Sequence, residues 1–456
     1  MYEKYLSKID QAKAEAFHVS DTIWDYAETG YREKKSMKLL ADELEKNGFT
    51  VERGLAGIPT CFIATYGSGK PVLAIQAEYD ALDGLSQEAG VTEEKKREGV
   101  ETGHGCGHNL FAGGSFAAAL AVKAYLEDGH TGTVKFFGCP AEENGAGKVF
   151  MVRAGLYEGV DAVVSWHPTT FTMVRTRPSL ANVLVNYTFK GVASHAGGSP
   201  WKGRSALDAA EIMNIGANFL REHMEPTSRI HYAFLDVGGT APNVVQSSAK
   251  LKYLIRAEDL KMVADLRRRV DRIAEGAAYM TETEVKIETQ KAYSNLITLS
   301  SLQKLANESL QSLPYPIPTE EDLAFAKALQ KTMPIDAEEM EQDPYEIGAR
   351  EPAPPKPHGG STDTADVSWV CPTVQFHIGN WIIGTPGHSW QAVAQGKCPY
   401  AKEMMIYGGK AVAGTVMRLF DRPDTLAEIQ AEHRAKTKGG YFCPIPPEIG
   451  PQIPVD

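Results

Sequence analysis

The sequence predicts an α/β protein with a mainly parallel sheet, helices on both faces of that sheet, and a smaller inserted unit. Apolar strand patterns alternate with helical patterns over the first 180 residues or so, which is typical of a parallel sheet covered on both faces. Between residues 183 and 297 the order changes to β-α-β-β-α-β, the ferredoxin-like split βαβ arrangement. The length of 456 residues also exceeds what one hydrophobic core usually serves.

The first part of the chain supplies the predicted parallel sheet. Apolar residues at helical spacing predict two helices before the first strand, and short apolar runs bounded by Gly, Pro or acidic residues predict the strands. The predicted helices are 5–28, 33–48, 109–127 and 147–154, and the predicted strands are 59–66, 71–78, 133–139 and 161–166. Residues 84–101, rich in Glu, Lys and Gly, are expected to form a loop.

The second part of the chain contains the patterns that predict the inserted unit, followed by elements that belong to the first unit again. The inserted strands are predicted from about 183 and at 229–236, 246–256 and 283–289, with helices at 205–222 and 259–281. A helix from about 299 resumes the main unit, and the Pro- and Glu-rich stretch 314–358 is expected to be a surface excursion. We therefore expect one domain from 1–182 and 298–456 and a lid or dimerisation domain from 183–297.

Composition excludes several classes of partner. The formal net charge of −11 opposes binding to nucleic acid or to an anionic membrane. No window reaches eighteen uninterrupted apolar residues. The six cysteines are scattered without a short framework spacing, as is typical of reduced thiols. We therefore expect a cytoplasmic protein.

The stretch G-H-G-C-G-H-N at 103–109 concentrates candidate ligands. His104, Cys106 and His108 alternate with glycines, whose backbone freedom allows close approach to a ligand. A helical pattern follows, so the dipole of the helix N-terminus should favour a thiolate at Cys106. Imidazole and thiolate together suit zinc, manganese or a related metal. A tight packed turn is the alternative interpretation of this stretch.

Further polar residues follow the predicted strands. Asp80, the pair Glu142–Glu143 and His167 follow three of them, and His388 lies far downstream in G-T-P-G-H-S-W. Ligands in open α/β sheets bind beyond the carboxyl ends of strands, so these groups are expected to meet. One glutamate could bind metal while the other acts as general base on a water. The residues alone leave open which does which, and a solvated acidic pair at a helix start is the alternative.

Several motifs together resemble the M20 family of metallopeptidases and amidohydrolases, within its aminoacylase-like branch. They are H-G-C-G-H-N, F-F-G-C-P-A-E-E, V-V-S-W-H-P, G-V-A-S-H-A-G, G-G-T-A-P-N-V-V, G-S-T-D-T-A-D-V-S-W and G-T-P-G-H-S-W. The resemblance extends from about residue 10 to the Pro-rich end. It implies two divalent ions, Mn²⁺ or Zn²⁺, and Glu142 as the general acid/base. The implied metal ligands are Cys106 (bridging), His108, Glu143, His167 and His388.

The same resemblance assigns residues of the insertion. His195 is expected to stabilise the developing oxyanion in the active site of a neighbouring protomer, while Asn243 and Arg256 resemble positions that hold the substrate carboxylate. This implies a homodimer through the inserted domain, and a companion subunit is a further possibility. One departure from the family pattern is Asn109, where many relatives have Asp.

The predicted function is a metal-dependent amidohydrolase that cleaves N-acyl or N-aroyl amino acids with a metal-activated water. The expected substrate is p-aminobenzoyl-glutamate or a similar acyl-glutamate or acyl-aspartate. Three alternatives stand beside it. They are a dipeptidase of the same family, a cysteine hydrolase using Cys106 with His104 or His108, and a non-catalytic partner subunit or carboxylate-binding protein.

Overall fold

A computed structural model describes residues 2–336, 343–352 and 360–454 and confirms the α/β class. The strands are β1 (Thr50–Arg53), β2 (Phe62–Ser68), β3 (Val72–Glu78), β4 (Leu82–Asp83), β5 (Thr102–Gly103), β6 (Gly132–Cys139), β7 (Ala162–Thr169), β8 (Met173–Val174), β9 (Ala181–Lys190), β10 (Arg229–Asp236), β11 (Ser248–Ala257), β12 (Glu284–Tyr293) and β13 (Thr373–Gly379). The helices are α1 (Glu3–Gln11), α2 (Lys13–Tyr26), α3 (Lys34–Lys46), α4 (His108–Glu127), α5 (Gly147–Arg153), α6 (Ala206–Leu220), α7 (Leu260–Thr281), α8 (Ser300–Gln311), α9 (Glu320–Gln330), α10 (Thr364–Val370), α11 (Trp390–Gln395), α12 (Pro399–Asp421) and α13 (Pro423–Lys436).

The large sheet has seven strands in the order β1-β2-β6-β3-β7-β13-β8. The four central strands β6, β3, β7 and β13 are parallel to one another. Strands β2 and β8 run antiparallel to their neighbours β6 and β13. The mainly parallel sheet predicted from the apolar strands is thus confirmed, and the carboxyl ends of its central strands lie at one edge.

Helix α4 is the central helix of the core. It packs against the sheet and against α12, where a Cβ on Gly409 would lie 2.6 Å from the carbonyl oxygen of Gly114. The two helices can therefore approach closely only because glycine is present. Within the described residues, α4 is the one helix long and apolar enough to cross a membrane, and 83% of its apolar window is buried inside the protein.

A second sheet is built from residues 181–293. Its four antiparallel strands lie in the order β10-β11-β9-β12, and the chain passes through β9, α6, β10, β11, α7 and β12 in turn. Alternate residues of β11 are buried, and α6 and α7 both contact this sheet. One face of the sheet is therefore covered by the two helices. The assignment of 183–297 as a separate domain stays a prediction.

Some element predictions were wrong. The helix expected at 5–28 is two helices that break at Ala12. The stretch 314–358 was expected to be a surface excursion, yet it contains α9, which begins in a capping box of Thr319 and Asp322 and buries Leu329 in the core. The capping side chains satisfy backbone groups that would otherwise lack partners at the start of the helix. The rest of that prediction falls partly on 337–342 and 353–359, outside the described residues.

Candidate active site

Ends of the central strands carry the acidic and imidazole groups to one edge of the large sheet. Glu78 is the last residue of β3, the pair Glu142–Glu143 follows the end of β6, and His167 lies within β7. His167 was predicted to follow its strand, but the strand continues to Thr169 because it pairs with β13 through that residue. The parallel arrangement therefore brings side chains from distant parts of the sequence together.

Glycines allow the cluster before α4 to reach this edge. Gly107 has φ +71°, and a Cβ there would lie 3.0 Å from the ring of Trp381 and 3.1 Å from Pro168. A Cβ on Gly105 would lie 2.5 Å from Leu85, and the carbonyl of Gly105 accepts a hydrogen bond from the backbone N–H of His388. The alternating glycines therefore have two functions here, which are a left-handed turn and close packing around the candidate ligands.

The predicted ligand side chains lie close enough to share metal ions. Cys106 Sγ is 3.4 Å from His167 Nε2, and His388 Nε2 is 3.3 Å from Glu143 Oε1. Among the described residues, four sets of three have candidate ligand atoms within 4.8 Å of one another, and Cys106 belongs to two of them. Those two are Cys106, His108 and His167, and Cys106, Glu143 and His388, whereas Glu142 belongs to the other two, with His108 and Glu143 and with Glu78 and Asp363. This is the arrangement that a bridging cysteine requires.

Buried polar atoms without well-oriented hydrogen bonds show that the residues fit a metal centre. His108 Nε2, Glu78 Oε2 and Glu143 Oε1 are buried and make no such bond among the described residues. Buried polar groups are normally hydrogen-bonded, so three buried atoms whose nearest polar neighbours are close but poorly oriented fit a cation bound between them. Thiolate, imidazole and carboxylate are ligand types suited to Zn²⁺ and related ions.

Asp80 connects two of the candidate ligands. Its Oδ1 lies 2.9 Å from His108 Nδ1, and its Oδ2 accepts a hydrogen bond from the backbone N–H of Glu143 at 2.9 Å. A carboxylate on the second nitrogen of a ligating histidine fixes the ring orientation. Asp80 therefore directs His108 Nε2 towards the site and holds the backbone of Glu143 at the same time.

The two adjacent glutamates have opposite pKa shifts. Burial, reinforced by the charges of Glu78 and Glu143, raises the pKa of Glu142 well above its usual range. Burial also opposes ionisation of Glu143, but the close contact with the His388 imidazole and the charge of His108 lower the pKa of Glu143 to about 2. Glu142 therefore holds a proton more tightly than its neighbour Glu143, which is a typical division between acid/base and ligand roles.

Cys106 does not have the thiolate character expected from the helix terminus. Burial and the nearby Glu143 carboxylate raise the pKa of the Cys106 thiol well above its usual range. Desolvation is therefore the dominant influence on this thiol. His104 is buried as well, its Nε2 lies 3.0 Å from the carbonyl oxygen of Ile23, and burial lowers its pKa to about 3. Its ring faces α2 rather than the ligand sets.

Three buried charged groups beside the ligands were not predicted as site residues. Lys148 Nζ lies 2.5 Å from Glu78 Oε1 and 2.6 Å from Asp363 Oδ1, and Glu78 Oε2 lies 3.1 Å from His108 Nε2. Glu78 ends a predicted strand and Asp363 stands within G-S-T-D-T-A-D-V-S-W, so a sequence signal existed for both. Lys148 lies in an otherwise mostly apolar helix and has no comparable signal.

A cavity of about 520 Å³ opens beside the ligands. The candidate metal and acid/base residues Cys106, Glu142, Glu143, His167 and His388 line it, together with Phe171, Met173, Arg175, Thr176, Arg177, Arg350, Glu351, Gly360, Ser361, Thr362, Gln375 and His377. The volume is that of a pocket for a small organic ligand. Arg350 and Glu351 come from the 314–358 stretch, so that stretch shapes the cavity.

The structure separates the three predicted residues of the insertion from the ligand cluster. His195 and Asn243 are near each other and not buried, joined by a hydrogen bond from the N–H of Ala196 to the carbonyl of Asn243, and neither lines the cavity. Arg256 donates a hydrogen bond from Nη1 to Ser361 Oγ at 3.0 Å, and Ser361 does line the cavity. Of these three residues, Arg256 therefore contacts the cavity wall of its own chain.

Comparisons with known proteins found similar sequences and a similar fold. Residues 74–346 match peptidase family M20/M25/M40. The chain is 42% identical to one of the subunits of p-aminobenzoyl-glutamate hydrolase from Escherichia coli (strain K12), covering 95% of each chain. It is 28% identical to Xaa-Arg dipeptidase of Mus musculus, covering 94% of this chain and 91% of the relative. A dinuclear metal-binding peptidase of the M20 family from Bacillus subtilis has the same fold, with a TM-score of 0.59, 16% identity and coverage of 90% and 99%.

Proposed function

This chain belongs to peptidase family M20/M25/M40 and is a hydrolase, and from that premise we propose that it releases amino acids from N-acyl or N-aroyl amino acids. p-Aminobenzoyl-glutamate or a similar acyl-glutamate or acyl-aspartate is the proposed substrate. The observation that carries the proposal is the pair of ligand sets that share Cys106, with Glu142 directly beside them. The 42% identical relative is named for hydrolysis of p-aminobenzoyl-glutamate, which supports the same substrate class.

The proposed metal ligands are residues that the fold already holds together. Cys106 would bridge two ions, with His108, His167, Glu143 and His388 completing the set. When bound, two divalent ions such as Mn²⁺ or Zn²⁺ would polarise the scissile carbonyl and increase the acidity of a water. Asp80 keeps the ring of His108 in position through its contact with Nδ1.

Glu142 is the proposed proton carrier. Its carboxyl lies next to the ligands, and its raised pKa means that it readily accepts a proton. It would take a proton from the attacking water and then donate it to the leaving amine nitrogen. Glu143, whose pKa is lowered, stays ionised and remains available as a ligand. These opposite shifts support different roles for two identical neighbouring side chains.

His195 is proposed to act in the active site of a second copy of the chain. Its Nδ1 accepts hydrogen bonds from the backbone N–H groups of Gly197 and Gly198 at 3.1 and 2.9 Å. This leaves Nε2–H as the free donor, the group that would face a developing oxyanion. Because His195 does not line the cavity of its own chain, a dimer would be needed to use it.

Exposed apolar side chains support that dimer. Strand β10 is an edge of the smaller sheet, and an unpaired edge near exposed apolar groups is a typical interface. The exposed apolar residues of this part of the chain are Val192, Trp201, Ile215, Phe219, Phe234, Leu235, Val237, Val244, Tyr279 and Met280. We propose that two copies of the chain form a homodimer through this surface. A companion subunit is the alternative partner for it.

Mixing two inactive variants tests the dimer and the role of His195. E142Q and H195A are each expected to be nearly inactive. Refolding or co-expressing them together should restore part of the activity, since one site of the mixed dimer has both native residues. Absence of any recovery in a verified mixed dimer would contradict action between protomers.

A substrate and inhibitor series tests the reaction itself. Protein loaded with Mn²⁺ or Zn²⁺ is expected to hydrolyse at least one member of a panel of p-aminobenzoyl-glutamate, acyl-aspartates and dipeptides. Chelation should abolish this activity and added metal should restore it. A cysteine hydrolase would instead resist chelation and be lost on thiol alkylation, but the raised pKa of the Cys106 thiol opposes that mechanism. Inactivity of the metal-loaded protein on the whole panel would refute the proposed function.

A further inference from the structure

Arg175 is a cation in the cavity that has no acidic partner among the residues that the structure describes. Its Nη1 donates a hydrogen bond to Gln375 Oε1 at 2.6 Å, and its Nε donates to the carbonyl oxygen of Arg177 at 3.4 Å. Within the described ranges, no carboxylate lies at ion-pair distance from its guanidinium. A guanidinium has five N–H donors, so three remain available after these two contacts.

The surroundings fix the side chain in place. The backbone N–H of Arg175 also donates to the carbonyl of Gln375 at 2.9 Å, so Gln375 holds both ends of the residue. Gln375 is itself buried, with 5% of its surface exposed, and it lies on β13 in register with Ser165 of β7. The guanidinium therefore extends from a rigid part of the sheet, and little side-chain entropy remains to be lost when it binds an anion.

Arg175 also lies near the reacting groups. Gln375 and His377 share a face of β13 because they are two residues apart, and His377 is in register with His167 on β7. His167 therefore lies one strand across and two residues along from Gln375, which corresponds to about 8 Å between the Cα atoms of these two residues. Burial lowers the pKa of Arg175 to about 10, and the charges of Glu142 and Glu78 act in the opposite direction, which agrees with their proximity. An anionic group of the substrate that binds Arg175 would therefore be separated from the scissile amide by several bonds.

The other cations of the cavity are less suited to this role. Arg350 already pairs with Glu346 and stacks over Phe171, with 4.9 Å from its Cζ to the ring centroid. Arg177 is exposed, so solvent screens its charge. Three arginines nevertheless line this cavity in a chain of net charge −11, and they give the cavity a local attraction for anions.

We propose that Arg175 and Gln375 form a carboxylate subsite, and that the enzyme therefore prefers amides carrying an acidic group beyond the scissile bond. This rests on the proposed hydrolase function and specifies its substrate class. Arg175 would bind the carboxylate through parallel N–H donors, while Gln375 keeps the guanidinium directed into the cavity. The acidic group belongs to the side chain of a dicarboxylic amino acid or to the acyl moiety.

Binding measurements on the metal-loaded protein test the subsite independently of turnover. The ligands are sulfonamide analogues, which have no scissile carbonyl. One pair compares N-(benzenesulfonyl)glutamate with N-(benzenesulfonyl)glutamine, and the other compares 4-carboxybenzenesulfonyl-alanine with 4-carbamoylbenzenesulfonyl-alanine. The wild-type protein should bind the acidic member of at least one pair about 10- to 100-fold more tightly, as expected for a charged hydrogen bond. The pair that responds identifies which part of the substrate is acidic.

Variants assign the discrimination to Arg175. R175Q should bind both members of the responding pair equally, and R175K should retain part of the difference because its charge remains but its paired donors are lost. R153Q is the matched control, since Arg153 is a half-buried arginine bonded to the carbonyl of Pro446 and outside the cavity. It should discriminate as the wild type does.

Two outcomes would overturn the subsite. One is equal affinity of the wild-type protein within both pairs, and the other is full discrimination by R175Q. If Arg175 only supported Glu142 electrostatically, R175Q would lower kcat equally on acidic and neutral amides without changing relative affinities. Failure of the proposed hydrolase function appears separately, as lack of turnover of the corresponding carboxamides by the wild-type protein.

Discussion

Tyr293 donates a hydrogen bond from its hydroxyl group to the backbone carbonyl of Glu142 at 3.1 Å. Lys291 makes the adjacent contact, with Nζ 2.9 Å from the carbonyl oxygen of Glu143. Both residues belong to the end of β12, the strand by which the chain returns from the smaller sheet. The smaller sheet therefore holds the backbone of the acidic pair directly, in addition to any contribution that it makes across a dimer.

Replacing Tyr293 by Phe is expected to lower kcat by about 5-fold, because loss of one hydrogen bond of about 1 kcal/mol would let Glu142 shift from its proton-transfer position. KM and metal content should stay near the wild-type values. Steady-state kinetics and metal analysis check this. Y66F is a suitable control, since Tyr66 makes a hydrogen bond to Glu127 at the surface. Wild-type kcat in Y293F would show that the contact does not position Glu142.

Side chains at strand ends were the most predictable part of this site. Cys106 and His108 stand out because glycines alternate with them before an apolar helix, and His167 and the Glu142–Glu143 pair stand at the ends of apolar strands. Parallel strand order then places their ends at one edge, whatever the spacing along the chain. The position of Cys106 among acids and imidazoles could therefore be predicted from the sequence.

Groups whose environment is purely tertiary could not be predicted in this way. Lys148 is 70 residues from Glu78 and 215 from Asp363 along the chain, so nothing local distinguishes it from a surface lysine. Arg175 is likewise held by a hydrogen bond to Gln375, which lies 200 residues away along the chain, so no local pattern distinguishes this arginine. The raised pKa of the Cys106 thiol could not be predicted either. The sequence shows that Cys106 precedes a helix, but it does not show how deeply the thiol is buried, and burial raises the pKa.

Replacing Lys148 by Met should destabilise the protein strongly. Lys148, Glu78 and Asp363 are all almost completely buried, and removing the cation leaves two carboxylates without a counter-charge. The expected loss in free energy of unfolding is about 3–5 kcal/mol, measured by chemical denaturation of the metal-free protein. K38M is the control, because the exposed Lys38–Asp42 pair should contribute less than about 1 kcal/mol. Equal effects of the two substitutions would contradict a structural role for the buried triad.

Glu33 should give the stability a measurable pH dependence. Burial, followed by the charge of Asp80, raises the pKa of Glu33 from 4.5 to about 8, and its carboxyl accepts hydrogen bonds from Thr60 Oγ1 and the N–H of Ala141. The folded state therefore binds the proton more tightly than the unfolded state. Its stabilising effect is complete below pH 4.5 and is lost as the pH rises towards and through 8.

The matched variant for this effect is E33Q, which resembles the protonated side chain in shape and charge. The free energy of unfolding of the wild-type protein should fall relative to that of E33Q between about pH 5 and 8, in metal-free buffer. Denaturation at several pH values measures the difference. Parallel curves for the two proteins over this range would show that Glu33 does not change its protonation on folding.

The neighbouring glutamates permit the sharpest test of the chemistry. E142Q should retain metal while kcat falls by about 10²- to 10⁴-fold, because the proton carrier is removed and the ligand set is not. E143Q should lose metal, because the carboxylate beside His388 becomes a neutral amide, which is a weaker ligand for a divalent cation. Metal analysis after dialysis, together with kinetics, separates the two variants. Metal loss in E142Q with retention in E143Q would mean that the roles of the two glutamates are the reverse.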